Sequence, residues 1–323
     1  MLARLWSNGK AFAVRIERGD APRMQMHPDQ LPVSLATVTE LVDQQFPQWQ
    51  GLPITEFASQ GTVNTLFRIG DKLLARLPLE PGDVTVTRRW LESEAQAARE
   101  LLGCTRFLTP EPVALGEPGA GYPLPWSVQT WLPGTVATAE DPGESVAFAH
   151  DLAEFIRGVR AIDTRGRAFN GRGRGGELRS SDAWMADCFE RSGELLDVPR
   201  LRRIWTVMRA LPRSAPDVMT HGDLIPVNVL VSGGRLAAVI DVGGLGPADP
   251  ALDLVGAWHL LEAGSRQALR EDLGCDDLEW ERGKAWAFEQ SMGAAWYYTE
   301  SNPAMSRMGQ RTLQRIVADT SLA

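Results

Sequence analysis

A chain of 323 residues that is 44% apolar has material for one large or two ordinary domains with a sizeable core. Its net charge of −8 argues against a nucleic-acid partner, whose binders present a basic face, and suits a cationic small molecule better. No uninterrupted apolar run approaches the roughly 20 residues of a membrane helix, the N-terminus lacks the apolar core of a secretory signal, and Cys104, Cys188 and Cys275 show no CxxC pairing. Neither a disulfide framework nor a zinc site is indicated, and the expectation is a cytoplasmic protein, monomer or homodimer, with no membrane partner.

In chain order, residues 1–32 carry Gly9, Gly19, Pro22, Pro28 and Pro32 with no sustained period and read as a peripheral extension. Met24 and Met26 sit near its end, so a later start codon is an alternative to Met1. Over 35–46 the apolar Val38, Leu41, Val42 and Phe46 share one helical face. The stretch ITEFASQGTVNTLFRIGDKLLARLPL reads as strand, loop, strand, turn, strand, with Gly70-Asp71 as the hairpin signal. A helix over 87–102 carries Glu92, Glu94 and Glu100. TPEPVALGEPGAGYPLPWSVQTWLPG then gives two strands around a Gly/Pro-rich turn, and 145–162 is an apolar helix.

Residues 164–179, TRGRAFNGRGRGGELR, are dense in Gly and Arg. One short run nearly free of aromatics reads as a mobile surface loop, or a flexible edge of a substrate cleft, rather than an RNA-binding segment. Helices over 183–196 and 199–210 lead to MTHGDLIPVNVLV and GGRLAAVIDVGG. There an apolar strand runs up to His221, a polar turn carries Asp223 and Asn228, and a strand over 236–240 ends on Asp241, so one hairpin delivers three oxygen-bearing side chains.

Asp and Asn are common turn formers, but a turn needs no His before the Gly-Asp, no Pro226 at its middle and no Asp closing the next apolar strand. Metal-dependent phosphoryl transfer does need such a set: an Asp to orient the attacking hydroxyl, an Asn five residues on for Mg²⁺, and an Asp on the next strand to bridge metal and phosphates. A hard cation prefers these oxygen ligands.

At these residues the chain resembles the aminoglycoside phosphotransferase family, kinases of antibiotics and other small molecules. HGDLIPVNVLV is similar to its HGDxxPxNxL signature and IDVGGLGPADPALDL to its IDxxxxGxxDPxxDL continuation; Val242 departs from the aromatic often found there. With weaker N-terminal matches the resemblance runs from about Leu35 to about Arg315.

It implies an α+β, two-lobed protein-kinase-like fold, with a mainly antiparallel five-stranded nucleotide-binding N-lobe over 33–130 and a helical catalytic and substrate-binding C-lobe over 131–323. Asp223 would be the catalytic base, and Asn228 and Asp241 the Mg²⁺ ligands. Gly61, Thr62 and Asn64 would cover the phosphates, although a lone Gly61 also fits an ordinary turn. Arg76 would grip phosphate, a solvated strand charge being the alternative, and Glu94 would pair with it. Gln129 and Trp131 would lie at the hinge that receives the base of ATP or GTP.

His221 would fix the loop, Asp249 cap the helix at Pro250, and Asp253 brace the catalytic loop. His259, among Trp258, Leu260 and Leu261, reads as a satisfied core residue. The C-terminal helices, over 266–274, 277–292 and 303–317, would bind the acceptor. Their carboxylates are candidates for ammonium groups and their aromatics for sugar rings, with Trp296, Tyr297 and Glu300 facing the substrate. The implied activity is Mg²⁺-dependent transfer of γ-phosphate to a small-molecule hydroxyl acceptor, an aminoglycoside or related antibiotic. A kinase of a sugar or amino alcohol, and a nucleotide-binding pseudokinase or interaction module, are the alternatives.

Overall fold

The computed structural model describes residues 30–57, 63–213 and 215–319. Gly61, Thr62 and nearly all of the expected N-terminal extension lie outside them.

Ser34 accepts a hydrogen bond from the Thr37 amide and starts α1 (Leu35–Gln45), which buries Val38, Leu41 and Val42. These side chains cover a sheet of β1 (Ile54–Phe57), β2 (Asn64–Ile69), β3 (Leu73–Pro78), β4 (Pro112–Gly116) and β5 (Trp126–Thr130), antiparallel in the order β1-β2-β3-β5-β4. Phe67, Ile69, Ala75, Leu77, Trp126 and Val128 complete that core. Between β3 and β4 lies α2 (Val84–Leu101). It starts three residues before the expected 87 because Asp83 caps it, accepting from the Val86 amide at 2.9 Å.

After β5 come β6 (Thr135–Val136), α3 (Val146–Arg160), α4 (Asp182–Arg191) and α5 (Val198–Met208). The predicted hairpin differs in its pairing. Its first strand, β7 (Val218–Thr220), pairs with β10 (Gly246–Ala248), while β8 (Val229–Ser232) pairs with β9 (Arg235–Val239) and β6. Asp223 therefore sits on the β7–β8 loop, and the β8–β9 hairpin carries Asn228 before one strand and Asp241 after the other. Two strands this short are placed by distant partners, which local patterning does not reveal.

The remaining helices are α6 (Val255–Leu260), α7 (Ala263–Leu273), α8 (Asp277–Tyr297) and α9 (Pro303–Asp319). α8 is buried on all sides almost without break from Trp280 to Ala295, which marks it as the central helix of the second core. It passes the expected end at 292 because Ala294, Ala295 and Trp296 extend the apolar run. α9 crosses it at Gly309, where an added Cβ would stand 2.8 Å from the Ala295 amide nitrogen and the Ser291 carbonyl oxygen. Among the described residues no helix is long and apolar enough to cross a membrane. The whole is an α+β, two-lobed protein-kinase-like fold.

Candidate active site

The β7–β8 loop is tied down before it turns. The buried Asp253 carboxylate accepts from the amides of His221 and Gly222, both at 2.8 Å. The His221 ring is fully buried. Its Nδ1 accepts from the Asp223 amide at 3.3 Å, which leaves the proton on Nε2 to be donated to the Ile240 carbonyl at 3.1 Å. One imidazole thus links the loop that carries Asp223 to the residue preceding Asp241.

The Asp223 carboxylate faces three donors. Asn228 Nδ2 reaches Oδ2 at 2.9 Å, Gln290 Nε2 reaches Oδ1 at 2.6 Å, and Arg174 Nη2 reaches Oδ1 at 2.9 Å. Arg174 belongs to the segment 164–179, expected to be a mobile loop. In the structure this segment is anchored: the Asp249 amide donates to the Gly175 carbonyl, and Arg282 donates to the Gly176 carbonyl. Arg167 further up the segment pairs with Glu100.

Asn228 is fully buried. Both hydrogen bonds of its Nδ2 run to Asp223, to the backbone oxygen and to Oδ2, so its amide orientation is fixed with Oδ1 lacking a hydrogen-bond partner. The Ile240 amide donates to the Asn228 carbonyl at 2.8 Å, bringing the end of β9 alongside. The next residue, Asp241, is buried and left-handed at φ 61°, a conformation Asp tolerates better than most residues and one that turns its side chain away from the strand's course. A buried amide oxygen without a donor, near a buried carboxylate, fits a hard divalent cation.

Arg76 on β3 and Glu94 on α2 form a buried ion pair, Nη1 to Oε2 at 2.9 Å, and Arg76 also reaches Gln129 Oε1 at 3.4 Å. Arg76 Nε and Nη2 and Glu94 Oε1 are buried with no hydrogen-bond partner, and a cavity of about 280 Å³ is lined by this pair together with Ser127, Gln129, Asp241 and Gly243. Gly243 permits the approach, since an added Cβ would stand 2.8 Å from Glu94 Cγ. Val242, where the family often has an aromatic, is buried in the main core. Asn64 at the start of β2 is buried with both side-chain amide atoms lacking partners. Trp131 donates its amide to the Lys72 carbonyl at 2.7 Å, and its ring lies against Phe57 and under the Arg68 guanidinium.

Asp249 accepts from the Ala251 amide and forms a buried pair with Arg282, Nε to Oδ2 at 2.8 Å. The expected substrate-facing residues are not among the hydrogen-bond donors to the Asp223 carboxylate. Trp296 packs on Trp184 and beneath Arg191, Tyr297 is half-exposed and Glu300 is exposed. Their neighbour Tyr298 is the one that packs beneath the β7–β8 loop, with Ile225 and Val227.

Several carboxylates in and around the C-terminal helices are engaged in ion pairs: Glu262 bridges to Arg311 and Arg315, Glu279 to Arg160, and Glu281 to Lys284. Glu289 is buried, and burial raises its carboxyl above the usual range. Arg174 and Gln290 went unmarked in the sequence. Gln290 left one signal, a polar residue inside the apolar WAFEQSMGAAW.

The profile of the phosphotransferase enzyme family matches residues 54–286, more than two thirds of the chain. An aminoglycoside 3'-phosphotransferase of Streptomyces fradiae is 32% identical over 160 residues, 45% of this chain and 57% of that protein. One from Escherichia coli is 31% identical over 145 residues, 42% of this chain and 52% of that protein. The chain thus spans about half the length of the curated relatives it matches. The same fold appears in an aminoglycoside 2'-phosphotransferase-IIIa bound to GDP, at 18% identity and TM-score 0.66 over 88% of this chain and 99% of that one. It appears again in a macrolide 2'-phosphotransferase from Brachybacterium faecium, at 18% identity and TM-score 0.60 over 86% and 98%. By the extent of the family match, this chain belongs to the phosphotransferase enzyme family.

Proposed function

We propose that the protein is a cytoplasmic small-molecule kinase that transfers the γ-phosphate of ATP or GTP to a hydroxyl of an aminoglycoside or related antibiotic. The observation that carries this reading is the fixed Asn228 amide, which gives both N–H groups to Asp223 and leaves a buried oxygen facing no donor. Such an oxygen is costly to bury without a partner, and a cation beside Asp241 supplies one. The aminoglycoside 3'-phosphotransferases named above support the same class.

Residues 33–130 then receive the nucleotide and 131–323 supply the base and the acceptor site. Arg76, steadied by Glu94, offers its unpartnered N–H groups to the non-transferred phosphates. Asn64 faces the phosphates, and the chain around Gln129 and Trp131 meets the base. Asp223 accepts a hydrogen bond from the acceptor hydroxyl, holds that oxygen in line with the γ-phosphorus and takes its proton as the new oxygen–phosphorus bond forms and the bond to the bridging oxygen of the departing nucleoside diphosphate breaks. His221 and Asp253 keep the loop in register and transfer nothing. Mg²⁺, held by Asn228 and Asp241, supplies charge neutralisation on the phosphate oxygens when bound.

A second reading of the acceptor is favoured by Arg174. Its guanidinium on Asp223 disfavours an ammonium beside the reacting hydroxyl, which points to the hydroxyl of an uncharged sugar or similar metabolite rather than to a polycation. Incubation with Mg²⁺ and γ-labelled ATP or GTP across kanamycin, erythromycin and common sugars separates these readings. Labelled product from any acceptor supports the kinase reading and ranks the classes. Nucleotide binding without transfer to any of them, water included, would count against it.

A further inference from the structure

We propose that Gln290 is a positioning residue for Asp223, and that His259 and Thr312 set the direction in which its amide points. The proposal rests on the kinase reading above.

Gln290 lies on α8 with no exposed surface, among Trp286, Phe288 and Met292. A primary amide there is costly unless every polar atom is met. It is met in one direction only. The Asp223 carboxylate can only accept, so the amide nitrogen of Gln290 must face Oδ1, at 2.6 Å. Oε1 then faces His259 Nε2 at 3.2 Å, which must carry the imidazole proton. Nδ1 is left as an acceptor, 2.9 Å from Thr312 Oγ1, whose hydroxyl donates. The order is Thr312 to His259 to Gln290 to Asp223, across α9, α6 and α8, and Thr312 is fully buried while His259 is nearly so. Burial also lowers the His259 pKa to about 4, so the ring is neutral near pH 7 and the order is kept.

Oδ1 has two partners of different kinds. Arg174 arrives on an irregular, bending segment and is partly exposed, so an entering acceptor can move its side chain aside. Gln290 is built into the central helix and cannot follow. With Asn228 on Oδ2 and Gln290 on Oδ1, the carboxylate plane is held from both sides while the acceptor docks. Small misplacements of a base reduce the rate without weakening nucleotide binding. A polar link that served packing alone would leave the rate untouched once the protein had folded.

The test uses the full chain and its Gln290→Leu and Asp223→Ala variants, with Mg²⁺ and ATP or GTP, and kanamycin, erythromycin or water as acceptor. Gln290→Leu should lower kcat by about ten- to a hundredfold with the nucleotide KM within about twofold of the parent. If Asp223→Ala retains turnover, the kinase reading fails. If Asp223→Ala is inactive while Gln290→Leu keeps its kcat, the positioning role alone fails. Nitrogen-15 NMR of the parent chain, with His259→Gln to assign the signal, needs neither acceptor nor turnover. A neutral ring protonated on Nε2 at pH 7 is expected, and one protonated on Nδ1, or charged, overturns the proposed order. In Gln290→Leu the proton should move to Nδ1, where Thr312 can accept it.

Discussion

Arg174 and Asp223 are held together at 2.9 Å between Nη2 and Oδ1, so the side chain proposed as base carries a guanidinium on one oxygen before any acceptor arrives. Both side chains are mostly but not wholly buried, at 19% and 14% exposure, so the pair stays within reach of solvent. Arg174→Ala should open this oxygen and remove a repelling charge. The KM for kanamycin should fall by about tenfold, that for an uncharged sugar acceptor should change little, and the nucleotide KM should stay the same. Equal changes for charged and neutral acceptors would remove Arg174 from acceptor selection.

Gly243 is where the Asp241 turn meets α2. A Cβ there comes within 2.8 Å of Glu94 Cγ and 3.0 Å of its Oε1, so Gly243→Ala must push Glu94 off Arg76. The expected result is a nucleotide KM raised by about tenfold with acceptor KM unchanged. Calorimetric titration with Mg²⁺-nucleotide checks it, and an unaltered affinity would mean that the ion pair has no part in phosphate binding.

What the sequence made readable follows the range of the interactions. Asp223, Asn228 and Asp241 lie on one continuous stretch whose spacing is itself the signature, and Glu94 could be paired with Arg76 from a resemblance that spans both. Arg174 and Gln290 stand 49 and 67 residues from the carboxylate they hold, with no periodicity to announce either. The pairing of β7 with β10 is likewise non-local, between strands of three residues that carry almost no pattern. Trp296, expected to face the substrate, lies at the end of α8 with its ring against Trp184, a contact no local pattern announces.

The Asp249–Arg282 pair is buried at both ends and also holds the segment that carries Arg174, through the Gly175 and Gly176 carbonyls. Removing one partner leaves an uncompensated buried charge. Arg282→Met should therefore cost about 3–5 kcal/mol in urea unfolding. A loss below about 1 kcal/mol would show that the charge is relieved elsewhere.

Glu262 ties the start of α7 to α9. Its hydrogen bond from Arg315, with a second from Arg311, lowers its pKa from the ordinary 4.5 to about 2. A folded-state pKa below the unfolded one gives stability that is present above about pH 4.5 and lost as pH falls toward 2. With allowance for a side chain partly open to solvent, Glu262→Gln should be less stable by about 1–2 kcal/mol at pH 7. The two unfolding curves should converge between pH 4.5 and 2; a gap that persists at pH 2 would assign the effect to packing.

The most direct test of the central claim is to compare Mg²⁺-dependent phosphate transfer and nucleotide binding in the parent chain and in Asp223→Ala. Asp223 touches neither Arg76 nor Glu94 in the structure, and its partners are Asn228, Gln290 and Arg174. Turnover should fall at least about a thousandfold while nucleotide affinity changes by less than about threefold. Turnover that survives the substitution would contradict the assignment of Asp223 as the base.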